Sequence, residues 1–107
     1  MTYNTYAAID AHEVSENKKV YISGDLSIHT EKEFEEIEKQ LTLSGYIAVN
    51  PLKIKNTYPG LSETDYSHIE EALKRRCNAI YLMPGWTDSY CIKTDLIYAL
   101  NNNYDVI

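Results

Sequence analysis

The stretch that most constrains this chain is Ala79 to Asp95, AIYLMPGWTDSYCIKTD. Its first five residues are a continuous apolar run, with the length and composition of a strand buried on both faces. Pro84-Gly85 then ends the strand, because proline offers no N–H to a ladder and glycine permits a sharp change of direction. Beyond Trp86, Thr87-Asp88-Ser89 supplies three possible N-caps for a following helix. A strand, a tight loop and a helix N-terminus, in that order, describe the edge of an open α/β sheet where ligands bind.

The rest of the chain supplies the partners such a strand needs. Val20-Tyr21-Ile22-Ser23-Gly24-Asp25 reads as a first central strand closed by glycine. Thr30-Glu31-Lys32-Glu33 has the form of a capping box, and Phe34, Ile37 and Leu41 follow it at helical spacing. Ser44-Gly45 marks the end of that helix. Tyr46 to Val49 reads as the second strand, stopped by Asn50-Pro51. Residues 52–61 read as a polar, irregular stretch with a turn at Pro59-Gly60. Ser62 to Asp65 opens a second helix whose core positions are Ile69, Ala72, Leu73 and Cys77. A third helix, from about Ser89 to Asn101, offers Ile92, Leu96, Ala99 and Leu100 to the core, and Tyr104 to Ile107 reads as a last strand. Strands alternating with helices imply parallel pairing. The expected fold is therefore α/β, a three-layer α/β/α sandwich of Rossmann-like or flavodoxin-like type with a parallel sheet of about four strands. Residues 18–107 make a single domain, with 1–17 as an N-terminal arm or short helix.

Several functions are disfavoured at once. The net charge of −6 repels a phosphate backbone, so nucleic acid is not an expected partner. No run approaches the roughly 18 apolar residues of a membrane span, and the N-terminus lacks the pattern of a secretory signal; a cytoplasmic protein is expected. The loop Ser23 to Ser27 has one glycine, too few for a dinucleotide or P-loop fingerprint. His12, His29 and His68 are scattered and read as surface residues, so no metal and no cofactor is expected. Cys77 and Cys91 read as half-buried packing residues.

In a parallel sheet the loops after the first three strands emerge at one edge. That brings Tyr21, Ser23, Asp25, Asn50, Trp86, Asp88, Ser89 and Asp95 toward one crevice, with Gly24 and Gly85 in the same loops. Ser89 at a helix start suits an anion. Asp95 lies within two turns of that start, and helical side chains lean toward the N-terminus. Trp86 offers a stacking surface. Each residue also has a plain structural role open to it: Asp88 and Ser89 as caps, Asp95 as a solvated acid beside Lys93, Trp86 as a lid on the core.

Ser23-Gly24, Phe34, Leu41, Gly45, Val49-Asn50-Pro51, Cys77, Ala79-Ile80-Tyr81-Leu82, Pro84-Gly85-Trp86, Ser89 and Ala99 together resemble the nucleoside 2-deoxyribosyltransferase-like superfamily. Within it they are most similar to a small branch, the domain of unknown function 4406, over about residues 19 to 107. The resemblance implies a small-molecule nucleoside or nucleotide as partner. It also implies Asp95 as the carboxylate that attacks the anomeric carbon and Tyr21 as the residue that orients it. Phosphate or sugar contact falls on Ser89, and substrate contact on Asn50. The chain departs from that pattern at Asp25 in place of proline, Asn78 in place of an acid, Cys91-Ile92 in place of glycine-alanine, and Asp95 in place of glutamate. A carboxylate one methylene shorter is withdrawn by roughly an ångström, a displacement able to cost ~100-fold in rate. Three readings follow: an N-glycosidase or deoxyribosyltransferase of weak turnover, a binder of a nucleotide or nucleotide-derived signal, and an interaction protein that keeps only the fold. Ten tyrosines in a small domain and an apolar N-terminal arm add the expectation of a homo-oligomer, at least a dimer.

Overall fold

The computed structural model describes residues 18–107; the arm expected at 1–17 lies outside the described residues. Four strands, β1 (Lys19–Ser23), β2 (Ile47–Val49), β3 (Ala79–Leu82) and β4 (Asp105–Val106), form one sheet in the order β2-β1-β3-β4. Every pairing is parallel, with Tyr21 level with both Val49 and Ile80. The helices are α1 (Glu31–Leu43), α2 (Leu52–Thr57), α3 (Glu63–Arg75) and α4 (Tyr90–Asn101), with a 3-10 turn at Trp86–Asp88 leading into α4. The architecture is the three-layer Rossmann-like or flavodoxin-like sandwich that the alternation of elements implies.

Strand β1 divides the molecule. Successive side chains on a strand point to opposite faces. Val20 and Ile22 join Phe34 and Leu41 of α1, with Leu52, Ala79 and Met83, in a core of buried side chains. Tyr21 and Ser23 point the other way, toward α3 and α4, and are buried too. The helix ends follow from local chemistry. Thr30 and Glu33 form the capping box of α1, and Ser62 and Asp65 form a second one on α3. Gly45 sits at φ 96° after α1, with its N–H donating to Thr42 O and the Tyr46 N–H donating to Leu41 O. That is the paired bonding of a Schellman end. Asn103, at φ 60°, closes α4 in the same way.

Four expectations are corrected. The stretch after Asn50 is not irregular throughout: Leu52–Thr57 is a six-residue helix. Pro51 is preset for a helix start, and Asn50 Oδ1 accepts the Leu52 N–H at 3.0 Å. The second strand starts at Ile47, since the Tyr46 N–H is used to close α1. Leu100 and Ala72 are exposed rather than in the core; in α3 the most buried side chains are Tyr66 and Lys74. His29 is buried, not on the surface.

Candidate functional site

In the order β2-β1-β3 the chain leaves β1 to one side and returns to the other, so a crevice opens beyond the carboxyl ends of these strands. Here it has a volume of about 500 Å³. Its walls come from the loop after β1 (Gly24, Asp25, Leu26), the inner side of α3 (Glu70, Glu71, Lys74) and the first two turns of α4 (Tyr90 to Asp95), with Tyr21 beneath.

Asp95 stands at the centre of a polar network. One carboxylate oxygen accepts from Ser23 Oγ at 2.6 Å and the other from Lys74 Nζ at 2.8 Å. Thus β1, α3 and α4 meet on one side chain. Lys74 is 8% exposed, lies 3.2 Å from a Glu71 carboxylate oxygen, and its ammonium sits 4.8 Å from the Tyr98 ring centre. Burial works to lower the Lys74 pKa, but Asp95 and Glu71 together raise it above the ordinary lysine value, so the group stays cationic.

Tyr21 is 4% exposed and lines the crevice. Burial first, then the charge of Asp95, pushes its pKa well above the ordinary tyrosine value, so the hydroxyl keeps its proton. Among the described residues that hydroxyl has no hydrogen-bond partner. A buried hydroxyl is ordinarily hydrogen-bonded, by protein, water or a ligand. Glu70, on the same wall, has a pKa raised by burial, an effect that Lys55 partly offsets.

The loop after β1 is held from both sides. Asp25 accepts from Ser89 Oγ at 2.6 Å, and from the Ser27 N–H and hydroxyl at 2.9 and 2.7 Å. These bonds lower its pKa, that from Ser89 most. The Asp25 N–H donates to His29 Nδ1 at 3.0 Å, while His29 Nε2 lies 2.6 Å from the Pro84 carbonyl oxygen. A carbonyl can only accept, so Nε2 carries the proton and the neutral ring ties the β1 loop to the β3 loop.

The residues expected at this edge separate into three groups. Asp95, Tyr21, Gly24 and Asp25 line the crevice. Ser23 and Ser89 are buried behind it, Ser23 holding Asp95 and Ser89 capping α4 by accepting the Ile92 N–H at 3.2 Å. Asn50, Gly85, Trp86 and Asp88 are not among its lining residues. Asn50 is buried between the Leu52 N–H and Glu38, and Gly85 takes a left-handed turn at φ 85°. Gly24 also has a packing reason to be glycine, since a Cβ there would meet Phe34 and Met83 at 2.4 and 2.5 Å. Cys91 is exposed at the rim, whereas Cys77 is buried and its thiol is pushed up to about 11. Lys74 and Glu70 were not foreseen. Their only signal is that Tyr66, Glu70 and Lys74 fall at intervals of four on α3, a row that ordinarily faces solvent.

Among the described residues no cluster of three or more His, Cys, Asp or Glu side chains is suited to a metal, and no helix is long and apolar enough to cross a membrane. No curated protein and no solved structure matches the chain. The family model Domain of unknown function (DUF4406) matches residues 18–107, which takes in all the elements described above, and the chain belongs to that family.

Proposed function

We propose that the crevice binds a nucleoside or nucleotide and that Asp95 acts slowly on its N-glycosidic bond, as the resemblance to deoxyribosyltransferases implies. The observation that carries this reading is the Tyr21 hydroxyl, buried, protonated and unpartnered among the described residues, on the wall of the crevice that Asp95 also lines. A group of that kind is suited to donate to a ligand or to the carboxylate once it has reacted. In the reaction a carboxylate oxygen of Asp95 bonds to the anomeric carbon as the bond from that carbon to the base nitrogen breaks. The electron pair leaves on the nitrogen, and a protonated Glu70 supplies the proton. Water, or a second base, then displaces Asp95 and returns a proton to Glu70. A carboxyl whose pKa is raised by burial suits that role, whereas Asn78 lies at the amino end of the sheet beside Lys19, away from the crevice.

A second reading, binding without turnover, draws on one observation. Both Asp95 oxygens are engaged, by Ser23 and by Lys74, and these strong bonds draw electron density from the carboxylate and weaken it as a nucleophile. Incubation with the four 2′-deoxynucleosides and their monophosphates, followed by chromatography for free base, decides between the two. The expected result is slow base release that Asp95→Asn abolishes while ligand affinity stays within a few fold. Binding with no release by the natural protein selects the second reading, and absence of both removes the site.

A further inference from the structure

We infer that the crevice takes its ligand without a phosphate: Asp25, bonded to Ser89 at the start of α4, fills the place a phosphoryl group would use and offers an acceptor to a sugar hydroxyl instead. This rests on the nucleoside reading above and narrows its substrate class. A helix start capped by serine is an ordinary place for a phosphate, which accepts from the serine hydroxyl and the free N–H groups. Here the protein's own carboxylate already takes that hydroxyl, at 2.6 Å, while Ser89 Oγ accepts from the Ile92 N–H. Asp25 is not free to swing away. Its other oxygen holds both Ser27 donors, its N–H is bound to His29, and its carbonyl oxygen accepts from the Ile28 and His29 N–H groups at 2.9 and 2.7 Å.

The charge around the crevice points the same way. Asp25, Glu63, Glu70, Glu71 and Asp95 line it, against two lysines. Lys74 is bonded to Asp95 and near Glu71, and Lys55 lies 3.8 Å from Glu63 and over the Tyr66 ring. A phosphate dianion has only acceptors, so it finds repulsion and no hydrogen bond at Asp25. A neutral hydroxyl donates to it, using acceptor capacity that Ser89 and Ser27 leave over.

The test is calorimetric titration with 2′-deoxyadenosine and with its 5′-monophosphate, and likewise with the other three bases, on the natural protein, Asp25→Asn and Asp25→Glu. At low salt the nucleoside should bind at least ~10-fold more tightly than the monophosphate, one like-charge contact being of that order. Asp25→Asn should shrink the ratio several fold and Asp25→Glu should keep it. A second measurement needs no variant. Raising the salt should strengthen monophosphate binding by screening repulsion and leave the nucleoside unaffected. Monophosphate binding as tight as the nucleoside's, or weakened by salt, overturns the inference while the nucleoside reading stands. Failure of every nucleoside and nucleotide to bind overturns both.

Discussion

The two faces of β1 are built on opposite principles. Toward α1, Val20 and Ile22 enter a dry layer with Phe34, Leu41 and Met83, where stability grows with apolar area removed from water. Toward α3 and α4, Tyr21 and Ser23 enter a layer held by Asp95 and Lys74, where Ser23, Asp95 and Lys74 depend on one another as partners. Residues one apart on a single strand thus serve a scaffold and a site. The first face tolerates apolar side chains of similar volume; the second tolerates few changes of charge.

The largest expected effect tests the dry face. Leu41→Ala removes a buried side chain 6% exposed and should cost about 2–5 kcal/mol in urea denaturation. Leu41 lies away from the crevice walls, so nucleoside affinity should stay the same when measured well below the unfolding midpoint. A fall in affinity equal to that of a crevice variant would show that the two faces are not separate.

Lys74→Met probes the polar face. It keeps a long apolar stem against Tyr98 and leaves Asp95 with only Ser23, for an expected loss of about 1.5–3 kcal/mol. Adding Asp95→Leu should recover most of it, because replacing both members of a buried pair is far cheaper than orphaning one. A double variant as unstable as the single would mean that packing, not charge, holds this layer. Gly24→Ala lies between the two faces. Its methyl group would collide with Phe34 and Met83, and the overpacking should cost about 1–3 kcal/mol by the same assay.

The difference between the faces also decides what the sequence discloses. The α1 face is legible because its determinants are local or periodic: the capping box at Thr30, the spacing of Phe34, Ile37 and Leu41, and the glycine at 45. The strand at Ala79 is legible for the same reason. Lys74 is not, because its burial depends on Asp95, one helix and one strand further along the chain. His29 is hidden likewise, since its partners are a backbone N–H and a backbone carbonyl, and no side-chain pattern marks either. The short helix α2 is masked by Lys53, Lys55 and Asn56, which give a six-residue segment no apolar period. At the sheet edge, position in the parallel order was enough to bring Asp95, Tyr21 and Asp25 together, but not to tell lining residues from those that brace them.

The smallest effect concerns Glu70, and its sign follows from linkage. Burial raises the Glu70 pKa above its ordinary value of 4.5, with Asp95 adding to the rise and Lys55 opposing it. The folded state therefore binds this proton more readily than the unfolded chain. Below the unfolded value both states are protonated and the group costs nothing. As pH rises through that value and then through the raised folded one, stability is lost, and the penalty is complete above it. Glu70→Gln removes the ionisation and should make the protein slightly more stable near neutral pH, by about 0.5 kcal/mol, the scale of a partly exposed substitution. As pH rises above the ordinary carboxyl value of 4.5, its stability should fall less steeply than that of the natural protein. The same variant should slow base release by removing the proton donor. Urea titrations at several pH values and a single-turnover assay check the two effects separately. A gain in stability with no loss of base release would leave Glu70 as a strained wall residue and return the proton to another donor.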